Sequence, residues 1–208
     1  MLVKFKPNKF GIILIILIMA IALILIAKKR KKQTIMTHSK KYKNSPTWDK
    51  HTDRRILSLH PLVQDKAREF IIRAEKELGI KLRITKGLRT WQEQDDLYNR
   101  PFDGKDNDND GKIDEPSEKV TNAKGGQSYH NYGLAIDVVE IKNGKALWRN
   151  PNWNKIAELG KSIGFEWGGN WKSIVDKPHF QMRFGRHHRD LAKLYRSGNR
   201  TGEYVNIT

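Results

Sequence analysis

Two histidines and one aspartate in the second half of the chain are of the types that bind a catalytic metal ion. His130 and Asp137 lie seven residues apart, and His179 is a third candidate. Zinc prefers imidazole nitrogen and carboxylate oxygen, and a catalytic zinc site keeps one position open for water. Residues seven apart on one strand face opposite sides, but the turn-forming sequence 131–133 lets both side chains converge. On residue types alone, a zinc site and ordinary core or surface histidines both stay open.

Asp176 lies three residues before His179 and can act as a base beside the same metal ion. Pro178 restricts Lys177 to an extended conformation and stiffens the chain between the two residues. Asp137 lies in an apolar, strand-like sequence. Because burying an unpaired charge is costly, we expect Asp137 to have a partner.

Four sequence blocks together resemble the family of zinc D-alanyl-D-alanine carboxypeptidases and L-alanyl-D-glutamate peptidases, which includes phage endolysins and bacterial wall hydrolases. In chain order the blocks are Gly87-Leu88-Arg89-Thr90 with Glu93-Gln94 and Leu97-Tyr98, Ser128-x-His130-x-x-Gly133-x-Ala135-x-Asp137, Phe165–Trp171, and Asp176-x-Pro178-His179-Phe180. The resemblance runs from about Leu59 to Phe184. Leu88 departs from the pattern, since an aromatic residue is commoner at that position.

The resemblance implies that His130, Asp137 and His179 bind zinc and that Asp176 is the general base. The Asp-x-Pro-His-Phe form is similar to the L-alanyl-D-glutamate endopeptidases, whereas D,D-carboxypeptidase branches usually carry Glu-x-Trp-His. We therefore expect a peptidoglycan stem peptide as the substrate, cut between L-Ala and D-Glu. Release of D-Ala by a carboxypeptidase, and a catalytically silent wall-binding module on the same fold, are the alternatives.

Three further residues of these blocks are expected to contact or orient the substrate. Arg89 can stabilise the oxyanion or hold a substrate carboxylate, although a surface arginine is the simpler alternative. Ser128 can hydrogen-bond the substrate, orient His130 or cap the turn that follows. Gln94 is expected among the substrate-binding residues.

An acidic segment between residues 103 and 118 predicts a second cation site. It contains seven of the 23 acidic residues of the chain. Carboxylates at alternate positions before Gly111 suit the many-oxygen shell of Ca²⁺, but Ser117 occupies the twelfth position, where an EF-hand has Glu. The segment is closer to a short Asp-x-Asp-x-Asp-Gly loop, and a solvated acidic loop is the alternative. The predicted calcium ligands are Asp106, Asp108, Asp110, Asp114 and Glu115.

The uncharged run from Phe10 to Ala27 predicts a transmembrane helix. Eighteen helical residues extend about 27 Å, which is close to the thickness of a hydrocarbon core. We therefore predict a basic N-terminal segment (1–9), a transmembrane helix (10–27), a basic tether (28–50) and a zinc peptidase domain (51–208).

Most of the positive charge lies near the N-terminus. Residues 1–50 contain twelve Lys or Arg and one acidic residue, so they carry +11 of the net charge of +17 and leave +6 for the rest. A basic surface suits anionic wall polymers and lipid headgroups, and we expect no nucleic-acid partner. The positive-inside rule would leave the peptidase domain in the cytoplasm, whereas wall chemistry requires it outside. We expect it outside.

The elements that must position these residues predict an α+β domain. Asp53 can cap a short helix, Pro61 opens a longer helix that Gly79 ends, and Thr90 with Glu93 forms a capping box. Asn152 is expected to cap a helix that ends at Gly164. Strands are predicted at residues 81–86, 134–141, 165–171 and 179–184. Because strands and helices do not alternate regularly, we expect a small antiparallel sheet flanked by helices, as in the D,D-peptidase fold that the resemblance implies.

Overall fold

The computed structural model describes residues 9–172 and 174–207. The chain divides into two compact units, residues 1–41 and 42–208. Apart from Lys9, the predicted N-terminal segment lies outside the described residues. Residues 42–50 belong to the second unit, although the sequence predicts them as part of a tether.

The first unit contains helix α1 (Lys9–Tyr42), which continues through most of the segment predicted as a tether. Within the described residues, no helix combines the length and the apolar character needed to cross a membrane. The predicted single-pass membrane localisation is therefore wrong, and the transmembrane helix at 10–27 and the membrane as a partner lose their support.

Five α-helices follow in the second unit: α2 (Lys50–Leu57), α3 (Pro61–Leu78), α4 (Trp91–Asn99), α5 (Trp153–Ile163) and α6 (His188–Arg196). Helix α3 begins and ends as predicted, because Pro61 needs no amide donor in the first turn and Gly79 adopts the left-handed conformation with φ +67°. The capping box of α4 is also confirmed. Helix α2 is capped by Asp49, not by Asp53, which lies in its first turn.

The main sheet has five strands: β1 (Leu82–Lys86), β2 (Ala135–Lys142), β3 (Lys145–Leu147), β4 (Glu166–Trp167) and β5 (His179–Gln181). The order is β1-β2-β5-β4, with β3 paired to β2, and every pairing is antiparallel. A separate hairpin joins β6 (Arg200–Thr201) to β7 (Tyr204–Val205). The predicted α+β class with a small antiparallel sheet is confirmed.

One face of the sheet carries the core, and this decides which side chains face the site. Phe180 of β5 is fully buried and contacts Phe70 of α3, with 4.9 Å between the ring centroids. Ile136 and Val138 of β2 are also fully buried. Because side chains alternate along a strand, the residues between and beside these apolar positions project from the opposite face.

Two predicted strands are shorter than expected. The strand predicted at 165–171 ends at Trp167, because Gly168–Asn170 turns into a 3-10 helix. The strand predicted at 179–184 ends at Gln181. Phe184 and Gly185 both have positive φ angles, which are incompatible with a continuing strand.

Candidate metal centre and active-site cleft

The three predicted metal ligands meet on the face of the sheet opposite the core. Asp137 of β2 pairs directly with His179 of β5, so these side chains are neighbours. His130 comes from a 3-10 helix, Tyr129–Tyr132, after which Gly133 reverses the chain with φ +66°. A Cβ atom at Gly133 would lie 2.6 Å from the amide nitrogen of His60, so only glycine fits this turn.

The three donor atoms form a nearly equilateral triangle. Asp137 Oδ1 lies 3.2 Å from His130 Nε2 and 3.1 Å from His179 Nδ1, and the two nitrogens are 3.2 Å apart. Ligands about 2.0–2.1 Å from a tetrahedral zinc ion are about 3.3 Å from one another. The spacing of the three atoms therefore fits one face of a zinc coordination tetrahedron.

The outer nitrogens of both rings face hydrogen-bond acceptors. His130 Nδ1 lies 2.8 Å from the carbonyl oxygen of Gly87, and His179 Nε2 lies 3.0 Å from Oε1 of Gln181. In the neutral rings the protons therefore occupy these outer positions, and the lone pairs of the inner nitrogens point toward Asp137. Three acceptors that converge on one point require a cation between them.

The ionisation of Asp137 and His179 agrees with such a cation. Burial alone would raise the pKa of Asp137, but its interactions with His130 and His179 outweigh burial and hold the pKa below the ordinary value. Burial would lower the pKa of His179, yet contact with Asp137 raises it. A proton on the ring then occupies the place that a metal ion would take.

Asp176 lines the same cleft as the three donor residues. Burial raises its pKa, and the negative charge of Asp137 adds to that effect, so this carboxylate is a stronger base than an ordinary aspartate. Its amide donates to the carbonyl of Gly168 at 3.1 Å, and its carbonyl accepts from the amide of His179 at 3.3 Å. The main chain therefore holds Asp176 beside the donor triangle.

Arg89 reaches the centre from the loop between β1 and α4. Its Nη2 lies 3.8 Å from Oδ2 of Asp137, and its Nη1 donates to Oε1 of Gln94 at 2.8 Å. Gln94 is fully buried and donates to the carbonyl of Ala123. The prediction that Gln94 contacts substrate is therefore corrected: a side chain without exposed surface orients Arg89 instead.

Ser128 and Trp171 also line the cleft, whose volume is about 860 Å³. Ser128 caps the 3-10 helix, since its Oγ accepts from the amide of His130 at 3.3 Å. This contact supports the turn-capping and orienting roles that the sequence suggests. The ring of Trp171 packs against His179, with 4.9 Å between centroids.

The acidic segment does not bring the predicted calcium ligands together. Asp106 and Asp108 share a group of converging carboxylates with Glu118, which the sequence did not single out. The remaining predicted ligands accept hydrogen bonds elsewhere in the loop: Asp110, Asp114 and Glu115. Only two of the five predicted residues therefore converge, and calcium binding has no support beyond the acidic residues themselves.

Sequence reasoning missed the acceptors that hold the two histidine rings. Gly87 acts through its carbonyl oxygen, which leaves no signal in the residue type. Gln181 could have been found, because it lies two residues after His179 in a predicted strand and must share its face. Glu166, which hydrogen-bonds Gln181, lies on a neighbouring strand whose pairing is visible only in the structure.

The chain is similar to known proteins in sequence and in structure. Residues 121–182, which contain His130, Asp137, Asp176 and His179, match a family model described as D-alanyl-D-alanine carboxypeptidase. Among solved structures, the L-Ala D-Glu endopeptidase ChiX of Serratia marcescens has a TM-score of 0.48 and 23% identity, covering 72% of this chain and 96% of that one. The LdcB LD-carboxypeptidase has a TM-score of 0.45 and 20% identity, covering 71% of this chain and 70% of that one.

Two relatives are closer in sequence. An L-alanyl-D-glutamate peptidase of Listeria phage A118 is 41% identical over 61 residues, which cover 28% of this chain and 22% of the relative. The peptidoglycan L-alanyl-D-glutamate endopeptidase CwlK of Bacillus subtilis (strain 168) is 40% identical over 134 residues, which cover 60% of this chain and 73% of the relative. Identity at this level over most of a relative shows that the chain is a peptidase and belongs to the family of D-alanyl-D-alanine carboxypeptidases and L-alanyl-D-glutamate peptidases.

Proposed function

We propose that this protein is a zinc-dependent endopeptidase that hydrolyses the bond between L-Ala and D-Glu in peptidoglycan stem peptides. The observation that carries the proposal is the convergence of three acceptor atoms, from His130, Asp137 and His179, beside a carboxylate with a raised pKa. The names of the two relatives support the choice of bond. All of these residues lie in the second unit, residues 42–208, to which we assign the activity.

The proposed ligands are Nε2 of His130, Nδ1 of His179 and Oδ1 of Asp137. When bound, zinc would supply a water of lowered pKa and polarise the scissile carbonyl. With three protein ligands, all of which line the cleft, a bound zinc ion would keep a fourth position for water. This arrangement is typical of a catalytic site and not of a structural one.

Asp176 is the proposed general base. Its carboxylate takes a proton from the attacking water while the water oxygen bonds to the carbonyl carbon, and it then gives that proton to the leaving amine as the C–N bond breaks. Burial in the cleft raises the pKa of this carboxyl, which favours acceptance of the proton from water. Proton transfer by a positioned side chain contributes about 10²–10⁴-fold to the rate.

Arg89 is proposed to stabilise the negative charge that develops on the carbonyl oxygen, or to hold a substrate carboxylate. Its guanidinium is fixed by Gln94 on one side and attracted by Asp137 on the other, so it needs little reorganisation during the reaction. Ser128 is proposed to orient His130 through its amide and to offer its hydroxyl to the peptide. Both side chains border the cleft that the substrate must enter.

Digestion of purified peptidoglycan by the full chain with added zinc, followed by mass spectrometry of the products, tests the proposal. We expect fragments with a new amino terminus on D-Glu. Free D-Ala as the sole product would assign the protein to the D,D-carboxypeptidases. Binding to peptidoglycan without any new amino terminus would indicate a catalytically silent wall-binding module.

A further inference from the structure

A chain of polar side chains leads from His179 away from the proposed metal. Gln181 accepts from the outer nitrogen of His179 at 3.0 Å, and its amide Nε2 donates to Oε2 of Glu166 at 3.4 Å. Glu166 in turn accepts from Nε of Arg183 at 2.8 Å. Gln181 is buried, whereas Glu166 and Arg183 reach the surface. Nothing in the proposed reaction uses these three residues directly.

The position of Gln181 is fixed by its own strand, β5, and by the neighbouring strand, β4. His179 and Gln181 are two residues apart on β5, so their side chains project from the same face. Gln181 also pairs directly with Glu166 of β4. The amide therefore lies between one ring and one carboxylate and hydrogen-bonds both.

The chemistry of Glu166 decides which end of the amide faces His179. An ionised carboxylate has acceptors only, so the NH₂ group of Gln181 must point toward it and the carbonyl oxygen must point toward the ring. The opposite orientation would place two oxygen acceptors against each other. Arg183 holds the carboxylate in place, with its Nε 2.7 Å from Oε2 of Glu166.

We propose that Gln181 and Glu166 are positioning residues that fix His179 in the tautomer whose Nδ1 lone pair faces the metal site. Because the carbonyl of Gln181 accepts only from a protonated Nε2, the proton stays on the outer nitrogen. Groups that hold the second nitrogen of a metal-binding histidine set its orientation and basicity. The inference rests on the proposed zinc site but not on which peptide bond is cut.

The zinc affinity of the full chain, measured by competition with a chromophoric chelator, tests the proposal. Gln181→Met keeps the volume but removes the acceptor, so we expect zinc to bind about 10–100-fold more weakly. Gln181→Glu keeps an acceptor for His179 and is expected to lose less affinity. Gln64→Met is the matched control, because the side chain of Gln64 donates to the main-chain carbonyls of Leu57 and Leu59 and does not line the cleft. The zinc affinity of this variant should be unchanged.

Exchange of the two residues gives a sharper test. In the double variant Q181E/E166Q an acceptor again faces His179, and the amide at position 166 can donate to the carboxylate at position 181. Each contact therefore keeps a donor opposite an acceptor, although the second hydrogen bond reverses its direction. We expect this variant to bind zinc more tightly than Gln181→Met and than Glu166→Gln alone, since an amide at position 166 lets Gln181 turn either way. Equal affinities for these three variants and the wild type would overturn the proposal.

The tautomer can be read without any variant. In ¹⁵N-labelled, zinc-loaded protein, we expect the proton of His179 on Nε2 and the metal on Nδ1. A proton on Nδ1 in the wild type would overturn the proposal even if Gln181→Met failed to fold. If the wild type binds no zinc at all, the zinc site of the proposed function fails; if it binds zinc and Gln181→Met binds equally well, only this inference fails.

Discussion

The Nε2 atom of His130 lies 3.2 Å from the Nδ1 atom of His179, although the residues are 49 positions apart in the chain. The outer nitrogen of each ring faces a separate acceptor, which orients the ring. The acceptor is a main-chain carbonyl for His130 and an amide oxygen for His179. Two imidazole nitrogens that face each other in this way repel as lone pairs unless a cation lies between them. The geometry therefore leads directly to a prediction about metal content.

Replacement of either histidine by alanine should abolish both stoichiometric zinc and hydrolysis. His130→Ala or His179→Ala leaves two ligands, too few for a stable zinc site. Zinc content by atomic emission and turnover on peptidoglycan are the measurements. His51→Ala is the control, because His51 is exposed on α2 and contacts Arg54 outside the cleft. Full activity in wild-type protein stripped of metal would contradict the proposed mechanism.

Asp176→Asn should separate metal binding from catalysis. The amide is isosteric but cannot accept the proton of water, so we expect near-stoichiometric zinc with kcat lower by about 10²–10⁴-fold. Zinc content and kcat are measured on the same preparation. Loss of zinc in this variant would make Asp176 a ligand and would require a different base.

Gly168→Ala should impair activity more than stability. A Cβ atom there would lie 2.6 Å from the carbonyl oxygen of Asp176 and 3.0 Å from Cβ of His179, so the segment that carries the base must move. Misplacement of a catalytic group by 1 Å can cost about 10²-fold, and we expect kcat/KM to fall at least about 10-fold.

Gly79→Ala is the matched control for that experiment. Gly79 has φ +67° and nothing lies within 4 Å of an added Cβ atom, so the substitution strains the end of α3 without touching the cleft. We expect a loss of about 1 kcal/mol of stability and an unchanged kcat. If both variants behave alike, Gly168 has no special part in positioning Asp176.

The contacts of Asp49 predict that the free energy of unfolding depends on pH. Burial would raise its pKa, but hydrogen bonds from Arg83 and Thr52 outweigh burial and hold the pKa below the ordinary value of an aspartate. A carboxylate with a lowered folded-state pKa contributes stability above its unfolded pKa and loses it as the pH falls through the folded value. Asp49→Ala should cost about 1–2 kcal/mol at pH 7, since it also removes a helix cap.

The difference between Asp49→Ala and the wild type should narrow below about pH 4, as the wild-type carboxylate becomes protonated. Chemical denaturation at neutral and acidic pH measures it. A difference that does not change with pH would show that the cap acts through its geometry alone and that the ion pair with Arg83 contributes nothing.

Local signals in the sequence predict the helices of the second unit well. Pro61, Gly79 and the Thr90–Glu93 box act within a few residues of themselves, and the structure confirms all three. The convergence of His130, Asp137 and His179 also follows the prediction, because the family blocks place these residues in order. Local chemistry and the resemblance together were sufficient for these features.

Features that depend on strand pairing could not be predicted in the same way. The sequence predicts Asp49 as part of a tether, because its partner Arg83 lies 34 residues away and only the folded chain joins them. Gln94 belongs to a family block, yet its burial beneath Arg89 depends on the loop at Ala123. The alternate positions of the acidic residues in the predicted calcium loop do not determine which carboxylates converge in the folded chain.

The direct pairing of Asp137 with His179 has a consequence for folding. Slippage of β5 by one residue against β2 would exchange Phe180 for His179 on the core face, and the two metal-binding side chains would part. A chain with mispaired strands would thus be unable to capture the ion. If the chain binds zinc as proposed, we therefore expect zinc uptake during refolding to report the fraction of molecules whose central strands have reached the native alignment.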